Sequence, residues 1–121
     1  MWKLEKEFRF EASHQLPHHE GKCRRLHGHS WVGRIVCEGN ELKTSGSETG
    51  MILDYEEIKK AISPLNLEYL DHWHLNETLK LENPTTEEVA RWIYDRIKPK
   101  LPLLTAVILE ETCTARCEYR P

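Results

Sequence analysis

The sequence predicts a single α+β domain over residues 1–121, in which a mostly antiparallel sheet carries two helices on one face. Long segments near both ends of the chain alternate apolar and polar residues, which is the period of a half-buried strand. Between them lie two segments with helical spacing, each behind a capping residue. No internal repeat or linker interrupts the chain, and 121 residues suffice for one modest core.

The first strand is predicted over residues 2–14. Its even positions are mostly apolar, its odd positions are mostly charged, and His14 falls in phase with the apolar face. After a loop at 16–22, a second strand is predicted over residues 26–38. A polar, glycine-bearing connection then leads to a short strand at 51–53, which we expect to form a hairpin with the second strand.

The first helix should begin after Asp54, a candidate N-cap with Glu57 at the capping-box spacing. Apolar residues at helical spacing extend it to about Tyr69, and the helix should end near Asp71. Pro64 should kink or shorten it, because proline lacks a backbone donor.

The second helix should begin at Thr85, which forms another capping box with Glu88, and should stop before Pro99. A further strand alternates over residues 105–111. The predicted order is therefore β-β-β-α-α-β, and a last short strand near 118–119 would extend it.

Composition excludes several classes of function. The net charge of −3 argues against a nucleic-acid binder that relies on bulk charge, and no apolar stretch approaches the ~20 residues of a membrane helix. We therefore expect neither nucleic acid nor a membrane as a partner. The N-terminus does not read as a signal peptide, so we expect a cytoplasmic protein with four reduced cysteines. Of these, Cys37, Cys113 and Cys117 are expected to be structural.

The segment His27-Gly28-His29 is the sharpest chemical feature. On a strand, residues i and i+2 point to the same face, about 6.5–7 Å apart at their Cα atoms, so both imidazoles can reach one metal ion. His14, in phase on the neighbouring strand, can supply a third ligand. Three neutral histidines with an open fourth position are typical of catalytic zinc. The alternative is that these histidines are ordinary packed residues.

Cys23 lies in a basic loop between Lys22 and Arg24, four residues before His27. Nearby cations stabilise a thiolate, which favours a general base or nucleophile facing the open position of the metal. The alternative is an exposed surface cysteine. The same cations could attract an anionic substrate such as a phosphate ester.

Acidic residues offer two further candidates. Glu111 is in phase with Val107 and Leu109, so its carboxylate should point inward, where it needs a partner such as an amidine- or guanidine-like ring edge. Asp71 precedes His72, and a carboxylate can fix the tautomer of a histidine. Because adjacent residues do not generally face each other, the residues alone favour a surface pair.

Taken together, these residues resemble the 6-pyruvoyl-tetrahydropterin synthase family over nearly the whole chain. Each motif is short, but their order and spacing are specific. The matching segments are Phe10-Glu11-Ala12-Ser13-His14, Cys23-Arg24-Arg25-Leu26-His27-Gly28-His29, Gly50-Met51-Ile52-Leu53-Asp54-Tyr55, Leu70-Asp71-His72, Asn83-Pro84-Thr85 and Glu111-Thr112-Cys113-Thr114. The closing Glu-Thr-Cys-Thr-x-x-Cys looks like the bacterial, queuosine-pathway branch, whose members make a 6-carboxy product.

The resemblance implies the tunnelling fold, an antiparallel sheet with two helices on one face. Such chains assemble into a trimeric barrel and usually into a hexamer, a dimer of trimers. The resemblance also implies a Zn²⁺ ion on His14, His27 and His29. No nicotinamide or flavin would be needed.

By the same resemblance, the substrate is the pterin 7,8-dihydroneopterin triphosphate. Cys23 would abstract a proton, Asp71 and His72 would form a relay contributed by a neighbouring subunit, and Glu111 would anchor the pterin ring. The carboxy branch would release triphosphate and acetaldehyde and leave 6-carboxytetrahydropterin. Two alternatives stay open: the pyruvoyl-forming lyase of the same family, and a zinc-binding domain without catalysis.

Overall fold

The computed structural model describes all residues from 1 to 121 and contains one five-stranded sheet. Its strands are β1 (Trp2–His14), β2 (His27–Gly39), β3 (Trp73–His74), β4 (Leu104–Thr112) and β5 (Ala115–Tyr119), in the spatial order β3-β1-β2-β4-β5. Every neighbouring pair is antiparallel except β1 with β3. The sheet is therefore mixed, and the predicted α+β class is confirmed.

The prediction for the third strand is wrong. Residues 51–53 form no strand, so the expected hairpin with β2 does not exist, and β2 pairs with β1 and β4 instead. The third strand is Trp73–His74, which follows the first helix and runs parallel to the end of β1. Two residues are too few to show an alternation. The last strand, expected at 118–119, begins three residues earlier as β5.

The first long helix is α1 (Tyr55–Leu65), and the Asp54 side chain caps it by accepting a hydrogen bond from the Glu56 amide at 2.9 Å. Pro64 lies in its last turn, and the chain continues as a π-helical turn over Asn66–Leu70. Proline therefore shortens the regular α-helix without ending the helical path, in line with its missing donor.

Two helices follow, a single turn α2 (Leu75–Thr78) and the longer α3 (Thr86–Ile97). Only α3 was predicted, because α2 is too short to carry a helical period. The Thr85 side chain accepts a hydrogen bond from the Glu88 amide at 3.2 Å, which confirms that capping position.

The main core lies between the helices and one face of the sheet. It contains the even positions of β1, the odd positions of β2 and β4, and the inner faces of α1 and α3. Its largest fully buried side chains include Phe10, Trp31, Ile58, Ile93 and Leu109. Both long helices therefore cover the same face, as predicted. No helix of the structure combines the length and apolarity that crossing a bilayer requires.

The opposite face of the sheet is largely charged. A small apolar cluster of Val36, Ala106 and Ile108 lies on it, and Arg34 bridges Glu110 at 2.8 Å and Glu7 at 3.4 Å. The face that carries the helices therefore also carries the histidine cluster, which separates that cluster from these ion pairs.

Candidate metal centre and its surroundings

Four side chains converge at one end of the sheet. His14 ends β1, His27 and His29 begin β2, and Glu111 lies near the end of β4. His14 is paired with His27 across the strands, so the antiparallel register brings residues 13 positions apart side by side. The candidate ligand atoms of all four residues lie within 4.8 Å of one another. The structure thus brings together the three predicted histidines and adds Glu111.

Backbone carbonyls orient two of the three imidazoles. His14 Nδ1 lies 2.9 Å from the Pro84 carbonyl, and His27 Nδ1 lies 2.6 Å from the Arg25 carbonyl. A carbonyl can only accept, so the hydrogen of each neutral ring is on Nδ1 and the lone pair is on Nε2. Each Nε2 is thereby prepared for a metal ion.

The Nε2 atoms of His14, His27 and His29 are buried and have no hydrogen-bond partner. Burying a polar atom without a partner is costly, and three such atoms facing one point indicate a missing shared partner. Three imidazoles are the ligand set of many catalytic zinc sites. The residues therefore fit a zinc ion on chemistry as well as on position.

Burial favours the neutral form of His14 and of His29. Loss of hydration lowers the pKa of His14 below its ordinary value, and this effect exceeds the opposing attraction of the Glu111 carboxylate. Burial likewise lowers the pKa of His29. A metal ligand must offer an unprotonated nitrogen, so both shifts favour metal binding at neutral pH.

Trp31 forms the floor of the cluster. Its ring packs edge-to-face against His14 and His29, with centroids 5.0 and 5.5 Å apart, and its indole donates to the Ala12 carbonyl at 3.1 Å. The tryptophan is fully buried, so it holds the imidazoles in place and keeps water from one side. Strand periodicity alone does not reveal this contact.

Glu111 is half-buried and points inward, as its strand phase predicts. Its Oε2 accepts a hydrogen bond from the Thr86 hydroxyl at 2.7 Å, so the first residue of α3 holds the carboxylate. Its Oε1 lies 2.7 Å from His29 Nε2. Sequence reasoning missed Thr86 and Pro84 as supports, because both contacts join segments far apart along the chain.

Cys23 is close to this cluster in the sequence. Its sulfur is not one of the four candidate ligand atoms that lie within 4.8 Å of one another. It is partly buried on a 3₁₀ turn, Lys22–Arg24, and its carbonyl accepts from the Leu16 amide at 2.9 Å, which closes the loop. Lys22, Arg24 and Arg25 form no ion pair and line an open groove of about 600 Å³ together with Glu20 and Gly21. The basic side chains next to Cys23 along the chain therefore share one groove, but Cys23 does not line it.

Asp71 and His72 contact each other, although the pair lies at the surface, as the residues alone favour. His72 has a φ of 67°, and its Nδ1 lies 3.0 Å from Asp71 Oδ2. Asp71 Oδ1 accepts from the Glu11 amide at 2.9 Å, and this bond, with the neighbouring imidazole, lowers the pKa of the carboxyl. The left-handed backbone at His72 is what turns the two side chains together.

A polar groove of about 480 Å³ lies beside His72. Glu11, Ser13 and Ser30, which line it, belong to the sheet face opposite the histidine cluster, and His29 is the one residue of that cluster that reaches it. Ser13 Oγ lies 3.0 Å from His74 Nδ1, and the imidazole of His72 is largely exposed. Within one chain, the structure therefore does not bring the Asp71–His72 pair to the metal centre.

The other cysteines differ in burial. Cys37 is fully buried in the core, as predicted, and burial raises the pKa of its thiol to about 11. Cys117 is partly buried against the core, but Cys113 is exposed at the turn between β4 and β5. The expectation of a packed residue is therefore wrong for Cys113.

Known proteins are similar to this chain over nearly its whole length. A family model described as 6-pyruvoyl tetrahydropterin synthase matches residues 3–121. A Synechocystis protein named 6-carboxy-5,6,7,8-tetrahydropterin synthase is 52% identical over 120 residues, covering 98% of this chain and 93% of its own. A Haemophilus influenzae protein of the same name is 31% identical and covers 99% of both chains.

The solved structure of Caenorhabditis elegans 6-pyruvoyl tetrahydropterin synthase is similar throughout. It superposes with a TM-score of 0.85 at 29% identity and covers 99% of this chain and 95% of its own. The range matched by the family model, residues 3–121, includes every candidate site residue.

Proposed function

Because the chain belongs to the 6-pyruvoyl tetrahydropterin synthase family, we propose that it is a zinc-dependent carbon–carbon lyase acting on 7,8-dihydroneopterin triphosphate. With uptake of one water molecule, the products are 6-carboxytetrahydropterin, acetaldehyde and triphosphate. The reaction would serve queuosine biosynthesis through 7-deazaguanine intermediates. The observation that carries the proposal is the convergence of three buried, unpartnered Nε2 atoms in a chain 52% identical to a protein named for this product.

His14, His27 and His29 would hold the zinc ion through Nε2. Carbonyls fix the tautomers of His14 and His27, and burial lowers the pKa of His14, so little rearrangement is needed on binding. When bound, zinc supplies Lewis-acid polarisation of the oxygen atoms on the substrate side chain.

Proton transfer would fall to Cys23, Asp71 and His72. Cys23, which lies between Lys22 and Arg24 in the loop before His27, would take the proton from the side-chain carbon next to the pterin ring. The Asp71 carboxylate holds His72 by its Nδ1 and leaves Nε2 exposed to give or accept a proton, and in the assembly this pair would serve the metal centre of a neighbouring subunit.

Glu111 would recognise the substrate ring. A carboxylate can accept two N–H groups from the guanidine-like edge of a pterin. Support comes from its inward, half-buried position and from Thr86, which fixes the orientation of one carboxylate oxygen.

We also propose that the chain assembles into a trimeric barrel and that two trimers form a hexamer. The outer edge of β1 is paired by β3 at only two residues, Ala12 and Ser13, and β5 leaves an outer edge at the other side of the sheet. Unpaired strand edges are available for pairing with another chain. In solution, a mass near six times 14.3 kDa would support the hexamer.

The deciding experiment is incubation of the zinc-loaded protein with 7,8-dihydroneopterin triphosphate and identification of the products by mass spectrometry. Acetaldehyde and 6-carboxytetrahydropterin in equal amounts support the proposal. A pyruvoyl product without acetaldehyde would establish the second candidate, the 6-pyruvoyl branch, which uses the same metal site. No turnover at all would favour a non-catalytic zinc-binding domain.

A further inference from the structure

The Glu111 carboxylate occupies the place that a fourth metal ligand would take. Its Oε1 lies 2.7 Å from His29 Nε2 and 3.6 Å from His14 Nε2. In a tetrahedral zinc site with bonds of about 2.0–2.2 Å, neighbouring ligand atoms are roughly 3.4 Å apart. The carboxylate oxygen is therefore within ligand range of the same point as the imidazoles.

The contact between Glu111 and His29 is short, at 2.7 Å between Oε1 and Nε2. Both residues belong to the group of four whose candidate ligand atoms lie within 4.8 Å of one another. Thr86 occupies the other oxygen of the carboxylate, Oε2. Oε1 is thus the carboxylate oxygen that faces the histidines, since it is the one close to both His29 Nε2 and His14 Nε2.

We infer that Glu111 is a displaceable fourth ligand, which completes the metal's coordination in the substrate-free protein and leaves the metal when a pterin ring binds. Thr86 is the positioning residue that presents Oε1 to the metal. Displacement follows from chemistry, because the guanidine-like edge of a pterin engages both carboxylate oxygens. The fourth coordination position of the metal would then open when the substrate oxygens arrive. A site with four protein ligands before substrate binding is therefore compatible with catalysis. This second half rests on the proposed function.

Metal affinity tests the first half without any turnover. Competition with a chromophoric chelator measures the zinc dissociation constant of the wild type, Glu111→Gln and Thr86→Val. Loss of the ligand should weaken binding at least ~10-fold in Glu111→Gln, and loss of its support should weaken it less in Thr86→Val. The matched control is Glu110→Gln, since that neighbouring carboxylate binds Arg34 on the opposite face and should leave zinc affinity unchanged.

Cobalt substitution distinguishes a true ligand from a nearby charge. The visible absorption of the Co²⁺-loaded wild type should differ in intensity and position from that of Co²⁺-loaded Glu111→Gln, and Thr86→Val should show an intermediate spectrum. Identical spectra, or a zinc affinity of Glu111→Gln within about twofold of the wild type, would overturn the assignment of Glu111 as a ligand.

Pterin itself, which lacks the propyl side chain, tests the displacement. Adding it to the Co²⁺-loaded wild type should change the cobalt spectrum, and the same addition to Glu111→Gln should not. Binding detected by pterin fluorescence without a spectral change would overturn displacement. Absence of binding would overturn both displacement and the proposed pterin site. Failure of the product assay alone would reject the proposed lyase and leave the affinity result for Glu111 intact.

Discussion

Replacing Gly33 by alanine should destabilise the protein, because the Phe8 ring fills the space above this glycine. The two residues are partners in the β1–β2 register. A Cβ atom added at Gly33 would lie 2.3 Å from Phe8 Cζ and 2.4 Å from Phe8 Cε1. Ordinary carbon–carbon contact is about 3.5–4.0 Å, so the ring or the strand would have to move by more than about 1 Å.

The Phe8 ring has little room to move. It is only 8% exposed and stacks on Phe10, whose ring in turn stacks on Trp31 with centroids 5.5 Å apart. Overpacking of this kind costs about 1–3 kcal/mol. For a chain of this length, that corresponds to a fall in Tm of roughly 4–12 °C, at about 4 °C per kcal/mol.

The assay is urea denaturation of Gly33→Ala, Phe8→Leu and the double variant at one fixed chain concentration, since assembly would make stability depend on concentration. Leucine vacates the volume of the ring, so the double variant should be more stable than the sum of the two single losses predicts, by about 1 kcal/mol. Strict additivity, or a Gly33→Ala loss below about 0.5 kcal/mol, would refute the reasoning.

Three further predictions concern the metal centre and its chemistry. His27→Ala should lose stoichiometric zinc in elemental analysis, and a variant that keeps one zinc per chain would reject the metal assignment. Cys23→Ala should keep its zinc but lose turnover by at least ~10²-fold; undiminished turnover would reject the thiol as the base. In the metal-free protein, burial lowers the pKa of His14 below its ordinary value of 6.5, so the unfolded chain takes up the proton first as pH falls. The free energy of unfolding should therefore decline below pH 6.5, less steeply in His14→Gln, and urea midpoints that rise with acidification would contradict this sign.

The long elements of the fold were predictable, and the short ones were not. Alternation over many residues identified β1, β2 and β4, and capping residues identified the starts of α1 and α3, because these signals are local. The two-residue strand β3 and the single-turn helix α2 have no period of their own. Both elements lie between Leu70 and Leu79, which are buried in the core. In this segment the chain runs along the end of β1.

The candidate site was likewise predictable in part: the faces on which its residues lie, but not their contacts. Strand phase placed His14, His27 and His29 on one face, which is where they lie. Phase also turned Glu111 inward, but its position among the histidines depends on where the end of β4 meets the start of β2. The Asp71–His72 contact depends on a left-handed residue that no local pattern revealed.

The sequence by itself determined the class of fold, the three-histidine cluster and the resemblance to a pterin-synthase family, because periodicity, spacing and motif order are properties of neighbouring residues. Only the tertiary structure decided which groups support and complete that cluster: the Pro84 carbonyl on His14, the Thr86 hydroxyl on Glu111, and Glu111 beside His29. These contacts join residues 70, 25 and 82 positions apart. Their distances are set by how the helices pack on the sheet, and packing is a property of the whole chain.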